Sequence, residues 1–219
     1  GKFDIYFSFR SSIRSNFFKF FIKSGFKFTY KKRNFQKSHQ VEKYNRFINR
    51  SLNIDLPAGP LAIYSDDSFK RSSSETTKQQ PMLGINPGAS YGNAKRWYPE
   101  EFANVAAELS NQYDITIIGG LNEKEIAMDI EKLLVKKGVT NYQNLAGRTN
   151  ISELIHFISN FDLFITGDSG PMHLAACYKV PTVSIFGPTN DNETSQWDNK
   201  KSIILKKNFD CQPCMKRIC

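Results

Sequence analysis

The sequence predicts an α/β protein whose main part is a parallel β-sheet with helices on both faces. From Pro81 onward, short apolar runs alternate with segments of helical periodicity, and most of these runs end in glycine or proline. The 219 residues are 40% hydrophobic and 23% charged, which fits a folded chain with a sizeable core and excludes a disordered or collagen-like one. Because no run of about 18 apolar residues lacks a charge, we expect no transmembrane helix.

Two strand–helix pairs are predicted within residues 1–51. Alternating apolar residues indicate the strands, and apolar residues three or four apart indicate the helices. In chain order the elements are a strand over 3–9, a helix over 12–23, a strand over 26–30 and a helix over 39–50. Residues 52–80 contain Pro57, Gly59, Pro60 and a polar run with three serines, which predict a linker or variable loop.

The segment 81–219 predicts the parallel sheet itself. Apolar runs predict strands over 82–86, 115–118, 142–145, 161–166 and 182–186. Pro99 suits the first position of a helix, where its fixed φ and missing N–H are tolerated. Helical periodicity predicts a helix from Pro99 and further helices over 126–134, 151–158 and 171–178.

Positive charge is concentrated in the first part of the chain. The formal net charge is +9; residues 1–80 hold 16 basic and 6 acidic residues (+10), and residues 81–219 hold 14 and 15 (−1). Such a field favours nucleic acid, an anionic membrane face or a phosphorylated substrate, whereas scattered lysines also serve solubility alone.

Four cysteines are too few for a disulfide scaffold in a chain of this length. Cys177 lies in an apolar segment and is expected to pack as a small hydrophobe. Cys211, Cys214 and Cys219 have the spacing Cys-x2-Cys-x4-Cys, which offers three ligands where a structural zinc takes four. Both a thiol-bearing structured loop and a zinc or iron–sulfur site completed by a further ligand stay open.

Ligands of open parallel sheets bind at the carboxyl ends of the strands, so the residues that follow each predicted strand form the candidate site. In the segment 167–173, Ser169 and Gly170 precede a helix whose first N–H groups favour a phosphate. Asp168 either caps this helix or accepts hydrogen bonds from sugar hydroxyls. His173 either donates to a phosphate oxygen or is a half-buried structural histidine.

Charged residues also follow two other strands. Lys95 and Arg96 are cations that suit either a diphosphate or a solvated surface pair. Glu123 follows the second strand, where a carboxylate either accepts from ribose hydroxyls or balances a helix N-terminus. The motifs G-x-x-x-x-G-K-[ST] and G-x-G-x-x-G are absent, which disfavours a P-loop NTPase and an NAD-binding domain, and there is no G-x-S-x-G nucleophile elbow.

Taken together, these motifs resemble glycosyltransferase family 9, the lipopolysaccharide heptosyltransferases. The resemblance is carried by Asn86-Pro87-Gly88-Ala89, Ala94-Lys95-Arg96-Trp97, Leu145-Ala146-Gly147-Arg148-Thr149, Asp168-Ser169-Gly170-Pro171-Met172-His173 and Phe186-Gly187-Pro188-Thr189. It implies a GT-B fold of two Rossmann-like domains. Residues 1–51 would be the rear part of an incomplete, acceptor-binding N-terminal domain, 52–80 the linker, and 81–219 a donor-binding domain truncated at its end.

The same resemblance implies transfer of L-glycero-D-manno-heptose from ADP-heptose to the inner core of lipopolysaccharide, with inversion and without a metal or other cofactor. Carried over by position, the donor-binding residues would be Ser90, Lys95, Glu123, Asp168, Ser169, Gly170, Met172 and His173. The anionic acceptor would face Arg10, Arg14 and His39. The family's amino-terminal glycine–aspartate loop has no counterpart here, so we expect the catalytic base upstream of Gly1 and no catalytic residue in this chain.

The implied location is the cytoplasmic face of the inner membrane, with peripheral attachment and no nucleic-acid partner. Two alternative hypotheses stay open. One is another nucleotide-sugar transferase of the same fold. The other is a non-catalytic basic module that binds a membrane or another anion, because residues 13–33 combine basic and aromatic residues. No recognised nucleic-acid-binding motif is present.

Overall fold

The computed structural model describes residues 2–35, 38–63, 80–89 and 92–218. Its contacts divide the chain into two compact units, Gly1–Gly59 and Pro60–Cys219. The predicted linker falls mostly on 64–79, outside the described residues. Within the described parts of the chain, every helix is too short or too polar to cross a lipid bilayer.

The first unit is a parallel pair of strands with two helices, as predicted. Its elements are β1 (Phe3–Ser8), α1 (Ile13–Phe21), β2 (Ser24–Thr29) and α2 (Gln40–Leu52). The strands pair in register from Phe3 opposite Ser24 to Ser8 opposite Thr29. Tyr30, Phe35 and Phe47 form a small aromatic core against one face of this pair. The helix α1 buries none of its residues, although its apolar residues recur at helical spacing.

The second unit contains a six-stranded, all-parallel sheet. Its strands are β3 (Met82–Asn86), β4 (Asp114–Ile117), β5 (Tyr142–Asn144), β6 (Leu163–Gly167), β7 (Thr182–Phe186) and β8 (Ser202–Lys206). Their spatial order is β5-β4-β3-β6-β7-β8. The chain therefore winds outward from β3 in one direction and then from β6 in the other, which is the doubly wound order of dinucleotide-binding folds. The first five strands confirm the prediction, and β8 was not predicted.

Helices cover both faces of this sheet, as predicted. They are α3 (Pro99–Leu109), α4 (Lys124–Lys136), α5 (Ile151–Asn160), α6 (Gly170–Cys177) and the short α7 (Asp191–Thr194). Buried side chains of α3 and α4 pack with Leu83, Ile85 and Ile117 on one face. Residues of α5 and α6 pack with Phe161 and Phe164 on the other face. Alternate residues of each central strand serve the two cores, which fixes the register of the sheet.

Candidate functional site

The candidate site is a cleft of about 510 Å³ at the carboxyl end of the sheet. It opens where the strand order reverses, between β3 and β6, which is the usual ligand position in doubly wound folds. Its walls are the residues that follow β3, β4 and β6 together with the first turn of α5. Five predicted donor-binding residues line it, namely Lys95, Glu123, Asp168, Ser169 and Gly170.

A buried ion pair joins two of these residues across the cleft floor. The Lys95 ammonium donates to the Asp168 carboxylate at 2.6 Å, and the two side chains are only 12% and 5% exposed. The Thr189 hydroxyl donates to the same carboxylate oxygen at 2.5 Å. The hypothesis of a solvated surface lysine is therefore wrong for Lys95. The hypothesis that Asp168 caps the following helix is also wrong, because Ser169 occupies the N-cap position.

The turn that carries Lys95 lies directly against the end of β7. A Cβ at Gly187 would clash with the backbone carbonyl of Ala94, so only glycine permits this close approach. The Gly187 carbonyl itself accepts a hydrogen bond from the Gln212 side chain at 2.6 Å, and the Ala94 amide donates to the Arg217 carbonyl at 3.1 Å. The end of β7 and the C-terminal segment thus hold the turn in place.

The N-terminus of α6 faces the cleft without a side-chain cap. Ser169 is the N-cap residue, but its side chain makes no capping hydrogen bond. Its hydroxyl instead accepts from the Asn86 amide at 2.7 Å, and that amide also donates to Thr166 at 3.1 Å. Since Gly170 lines the cleft, the positive end of the helix dipole is presented to a ligand. This arrangement suits a phosphate group.

The two carboxylate oxygens of Glu123 differ in their hydrogen bonding, and one of them is available to a ligand. The residue is 7% exposed, and its Oε2 accepts from the Gly120 amide at 2.6 Å. Its Oε1 is buried and has no hydrogen-bond partner among the residues that the structure describes. A Cβ at Gly88 would clash with Glu123 Cγ, so the glycine after β3 makes room for this side chain. A buried acceptor of this kind costs free energy unless a hydroxyl or amide donates to it.

Two further predicted donor residues, Met172 and His173, lie outside the cleft lining. Met172 is fully buried in α6, and His173 is partly buried one turn into the same helix, where its carbonyl accepts from Cys177 at 3.3 Å. Neither of the two lines the cleft. Ser90 lies outside the described residues.

Two residues that support the site were not predicted as site residues. Asn86 positions Ser169, and Thr189 shares the Asp168 carboxylate with Lys95. Asn86 ends one predicted strand and Thr189 follows another, so their position at strand ends could have indicated a place in the site. What the sequence could not indicate was which distant side chain each of them would meet.

The predicted acceptor-binding residues belong to the first unit. Arg10 and Arg14 line a pocket of about 360 Å³ beside the start of α1. The hydroxyls of Ser8 and Ser15 donate to the Arg10 carbonyl at 2.7 and 2.8 Å, which fixes the backbone of this loop. His39 is not among the lining residues. Its Nδ1 accepts from the Val41 amide at 3.2 Å and caps α2.

The three described cysteines do not line the cleft. Cys177 is partly buried, and burial raises the pKa of its thiol, as expected for a packed rather than a reactive cysteine. Cys211 is exposed and Cys214 partly buried, while Cys219 is outside the described residues. Among the residues that the structure describes, no three His, Cys, Asp or Glu side chains are grouped to hold a metal ion.

Sequence comparison relates this chain to known heptosyltransferases. A family model described as glycosyltransferase family 9 (heptosyltransferase) matches residues 1–219. Lipooligosaccharide heptosyltransferase 2 of Campylobacter jejuni serotype O:2 is 39% identical over 220 residues, covering 100% of this chain and 68% of the relative. Lipopolysaccharide heptosyltransferase 2 of Escherichia coli K12 is 31% identical over 142 residues, covering 64% of this chain and 39% of the relative.

Solved structures of proteins from the same family also align with this chain. ADP-heptose lipopolysaccharide heptosyltransferase II of E. coli aligns with a TM-score of 0.60 and 26% identity, over 71% of this chain and 48% of that one. A glycosyltransferase family 9 protein of Veillonella parvula aligns with a TM-score of 0.77 and 21% identity, over 98% of this chain and 67% of that one, and shares the fold. The chain thus spans between about half and two thirds of the length of these proteins.

Proposed function

The chain belongs to glycosyltransferase family 9, the heptosyltransferase family, and from this premise we propose that it is part of a heptosyltransferase II. Such an enzyme moves L-glycero-D-manno-heptose from ADP-heptose to the inner core of lipopolysaccharide. The observation that carries the proposal is the cleft between β3 and β6. It brings together a lysine, an uncapped helix N-terminus and a buried carboxylate oxygen that has no hydrogen-bond partner among the described residues.

These three features match the parts of ADP-heptose. The free Oε1 of Glu123 suits a ribose hydroxyl, which would supply the missing hydrogen bond. The first turn of α6 at Gly170 suits the diphosphate. Lys95 suits either a diphosphate oxygen or the sugar, and Asp168 both orients Lys95 and can accept from heptose hydroxyls. Ser90 completes the proposed donor set by position.

The proposed reaction is inverting displacement. A base deprotonates an acceptor hydroxyl, which attacks the anomeric carbon while ADP leaves with the electrons of the broken C–O bond. Negative charge then grows on the diphosphate. Positive groups fixed at that place lower the barrier, because they bind the transition state more strongly than the ground state. Lys95 and the α6 N-terminus are such groups, and we assign no base to the residues of this chain.

The first unit is proposed to meet the acidic acceptor. Arg10 and Arg14 flank a pocket of suitable size for a sugar, and the surplus of ten positive charges in residues 1–80 attracts phosphorylated or carboxylated glycolipid. His39 also belongs to the proposed acceptor set, and in addition it caps α2 through its side chain.

Peripheral attachment to the inner membrane is part of the proposal. Apolar side chains of α1 are strongly exposed, with Ile13 at 90% and Phe20 at 82%, and Arg14 and Lys19 lie on the same short helix. Such a helix suits an anionic membrane surface. Flotation with vesicles rich in anionic lipid should recover the chain, and Phe20→Ser should reduce recovery while Leu121→Ser, an exposed residue of the second unit, should not. Equal recovery with neutral vesicles would contradict the proposal.

Calorimetry with ADP, UDP and an oligonucleotide tests the proposed function. ADP should bind selectively, and Glu123→Gln should weaken ADP binding at least about tenfold, or 1.4 kcal/mol. Glu108→Gln removes an equally charged but exposed side chain of α3 and should leave the affinity unchanged. A preference for UDP would favour another nucleotide-sugar transferase. Binding that ignores the nucleotide and vanishes with salt would favour the basic anion-binding module.

A further inference from the structure

A second pocket of the donor unit lies next to the nucleotide cleft. Its volume is also about 510 Å³, and it is formed by residues 94–98, the ends of β7 and β8, and the start of the C-terminal segment. Lys95 lines both the cleft and this pocket, so the two share a wall. The proposed ADP-heptose site occupies only the cleft, so no ligand is yet assigned to the second pocket.

The lining of this pocket is strongly cationic. The pocket is lined by Lys95, Arg96, Lys206 and Lys207, and no Asp or Glu is among its described lining residues. Two of these cations are neutralised from outside the pocket, Lys95 by Asp168 and Lys206 by Asp191, whose carboxylate lies 2.7 Å from the lysine. In the described part of the chain, Arg96 and Lys207 form no ion pair. The Nε of Arg96 is moreover buried, and no described residue offers it a hydrogen-bond acceptor. A buried donor of this kind calls for an acceptor from a ligand.

The same lining offers apolar ring surfaces beside these charges. Trp97 is partly buried, and its ring packs edge-on against Phe102 in the core, which holds it rigidly at the pocket wall. Tyr98 and Phe209 are 71% and 54% exposed. The Lys207 ammonium lies 6.0 Å from the centre of the Phe209 ring. A packed tryptophan ring and further aromatic side chains, beside a few convergent charges, suit a ligand that has both an apolar face and an anionic group.

We propose that this pocket binds a negatively charged saccharide, with a phosphate or carboxylate held by Arg96 and Lys207 and a sugar ring lying against Trp97. A pocket of this volume holds one or two sugar units. Because Lys95 separates it from the cleft, such a saccharide would stand next to the donor sugar, where an acceptor must stand. The inference rests on the proposed function: the donor unit itself then contributes to recognition of the acidic acceptor.

Fluorine NMR tests this directly on the 219-residue chain. The protein has two tryptophans, Trp97 in the pocket and Trp197 outside its lining, so 5-fluorotryptophan gives two signals that Trp197→Phe assigns. The probes are glucose 6-phosphate, glucuronic acid, neutral methyl glucoside and inorganic phosphate. The two anionic sugars should shift the Trp97 signal in a saturable way and leave the Trp197 signal in place. They also distinguish a phosphate from a carboxylate as the preferred anion.

Variants and competition make the proposal falsifiable. Arg96→Gln and Lys207→Gln should each weaken the anionic sugars at least about fivefold, as expected for loss of a charge-assisted hydrogen bond. Lys200→Gln removes an exposed lysine outside the pocket and should change nothing. Lys207 is exposed, so its variant stays informative if Arg96→Gln fails to fold. Equal response to the neutral glycoside or to phosphate alone would overturn the proposal.

Saturation with ADP separates this inference from the proposed function. If the pocket is distinct from the cleft, anionic sugars still bind to the ADP-loaded chain. Loss of sugar binding in ADP would show that the pocket belongs to the nucleotide site, and the inference would be wrong. If ADP does not bind and the sugars do, the proposed function fails while the anionic saccharide site stands.

Discussion

The buried pair of Lys95 and Asp168 should be strongly coupled in the free energy of unfolding. The two side chains are 12% and 5% exposed, and the charged atoms are 2.6 Å apart. At that distance the Coulomb attraction is about 6 kcal/mol for an effective dielectric constant of about 20. Desolvation of both charges cancels much of this attraction, so the intact pair itself adds little net stability. Removal of one partner, however, leaves the other charge buried and uncompensated.

A double-mutant cycle measures the coupling. Lys95→Met and Asp168→Asn should each lower the free energy of unfolding by about 3 kcal/mol, the range found when one member of a buried pair is removed. The double variant should lose far less than the sum of the two, which gives a coupling energy of about 3 kcal/mol. Urea unfolding followed by tryptophan fluorescence is the suitable assay, because both tryptophans belong to the second unit.

A matched pair on the surface of the same unit provides the control. Lys179 and Asp198 are 3.0 Å apart, but their side chains are 41% and 47% exposed. Solvent screening limits such pairs to about 0–1 kcal/mol. A coupling energy between Lys95 and Asp168 as small as that of the control pair would refute the reasoning, because it would mean that the cleft floor is as well solvated as the surface.

Three further predictions concern the cleft and the partly buried thiol of Cys177. Gly88→Ala should displace Glu123, because the new Cβ would clash with its Cγ, and should weaken ADP binding at least about tenfold in calorimetry; an unchanged affinity would contradict the role of Glu123. In a chain extended to the length of its relatives, Lys95→Ala and Asp168→Ala should each lower turnover at least about tenfold (1.4 kcal/mol) in a heptose-transfer assay. EDTA should leave the unmutated enzyme active. Loss of activity in EDTA would refute metal-independent stabilisation of the diphosphate. Because burial raises the pKa of Cys177, its alkylation by iodoacetamide at pH 8 should be slower in the folded chain than in urea. The rate in the folded chain should also keep rising at pH values well above about 8.5, the pKa of an ordinary thiol, where the rate in urea has levelled off. Equal folded and unfolded rates would be inconsistent with the raised pKa.

The sheet of the second unit was predictable because its central strands are buried on both faces. Such strands are short continuous apolar runs, and the helices between them show a clear period. The strand β8 escaped prediction because it lies at the edge, where three of its residues, Ile203, Ile204 and Leu205, are exposed and lysines flank the run. Periodicity also predicted α1 correctly as a helix but not its exposure, since a pattern indicates an apolar face without indicating what covers it.

The site was predictable in its location and only partly in its contacts. Strand ends of a doubly wound sheet meet at one edge, which correctly brought Lys95, Glu123 and Asp168 to one cleft. The pairing of Lys95 with Asp168 joins residues 73 positions apart, and it depends on the register of three strands and on the path of a turn. Local sequence patterns do not indicate which residues so far apart in the chain will be in contact. His173 also follows this strand end in the sequence, but it does not line the cleft, because the rotation of a helix sets which of its residues face a neighbouring cleft.

Two glycines explain why charged residues of this chain can reach the cleft at all. Gly88 admits the side chain of Glu123, and Gly187 admits the backbone of the turn that carries Lys95. Neither glycine would contact a ligand through a side chain, yet a methyl group at either position would move a proposed binding residue. The informative signal at the strand ends was therefore the absence of a Cβ, which marks a close approach, more than the charges nearby. Gly187→Ala should therefore weaken the ion pair of Lys95 and Asp168, although this substitution removes no charged group from the cleft.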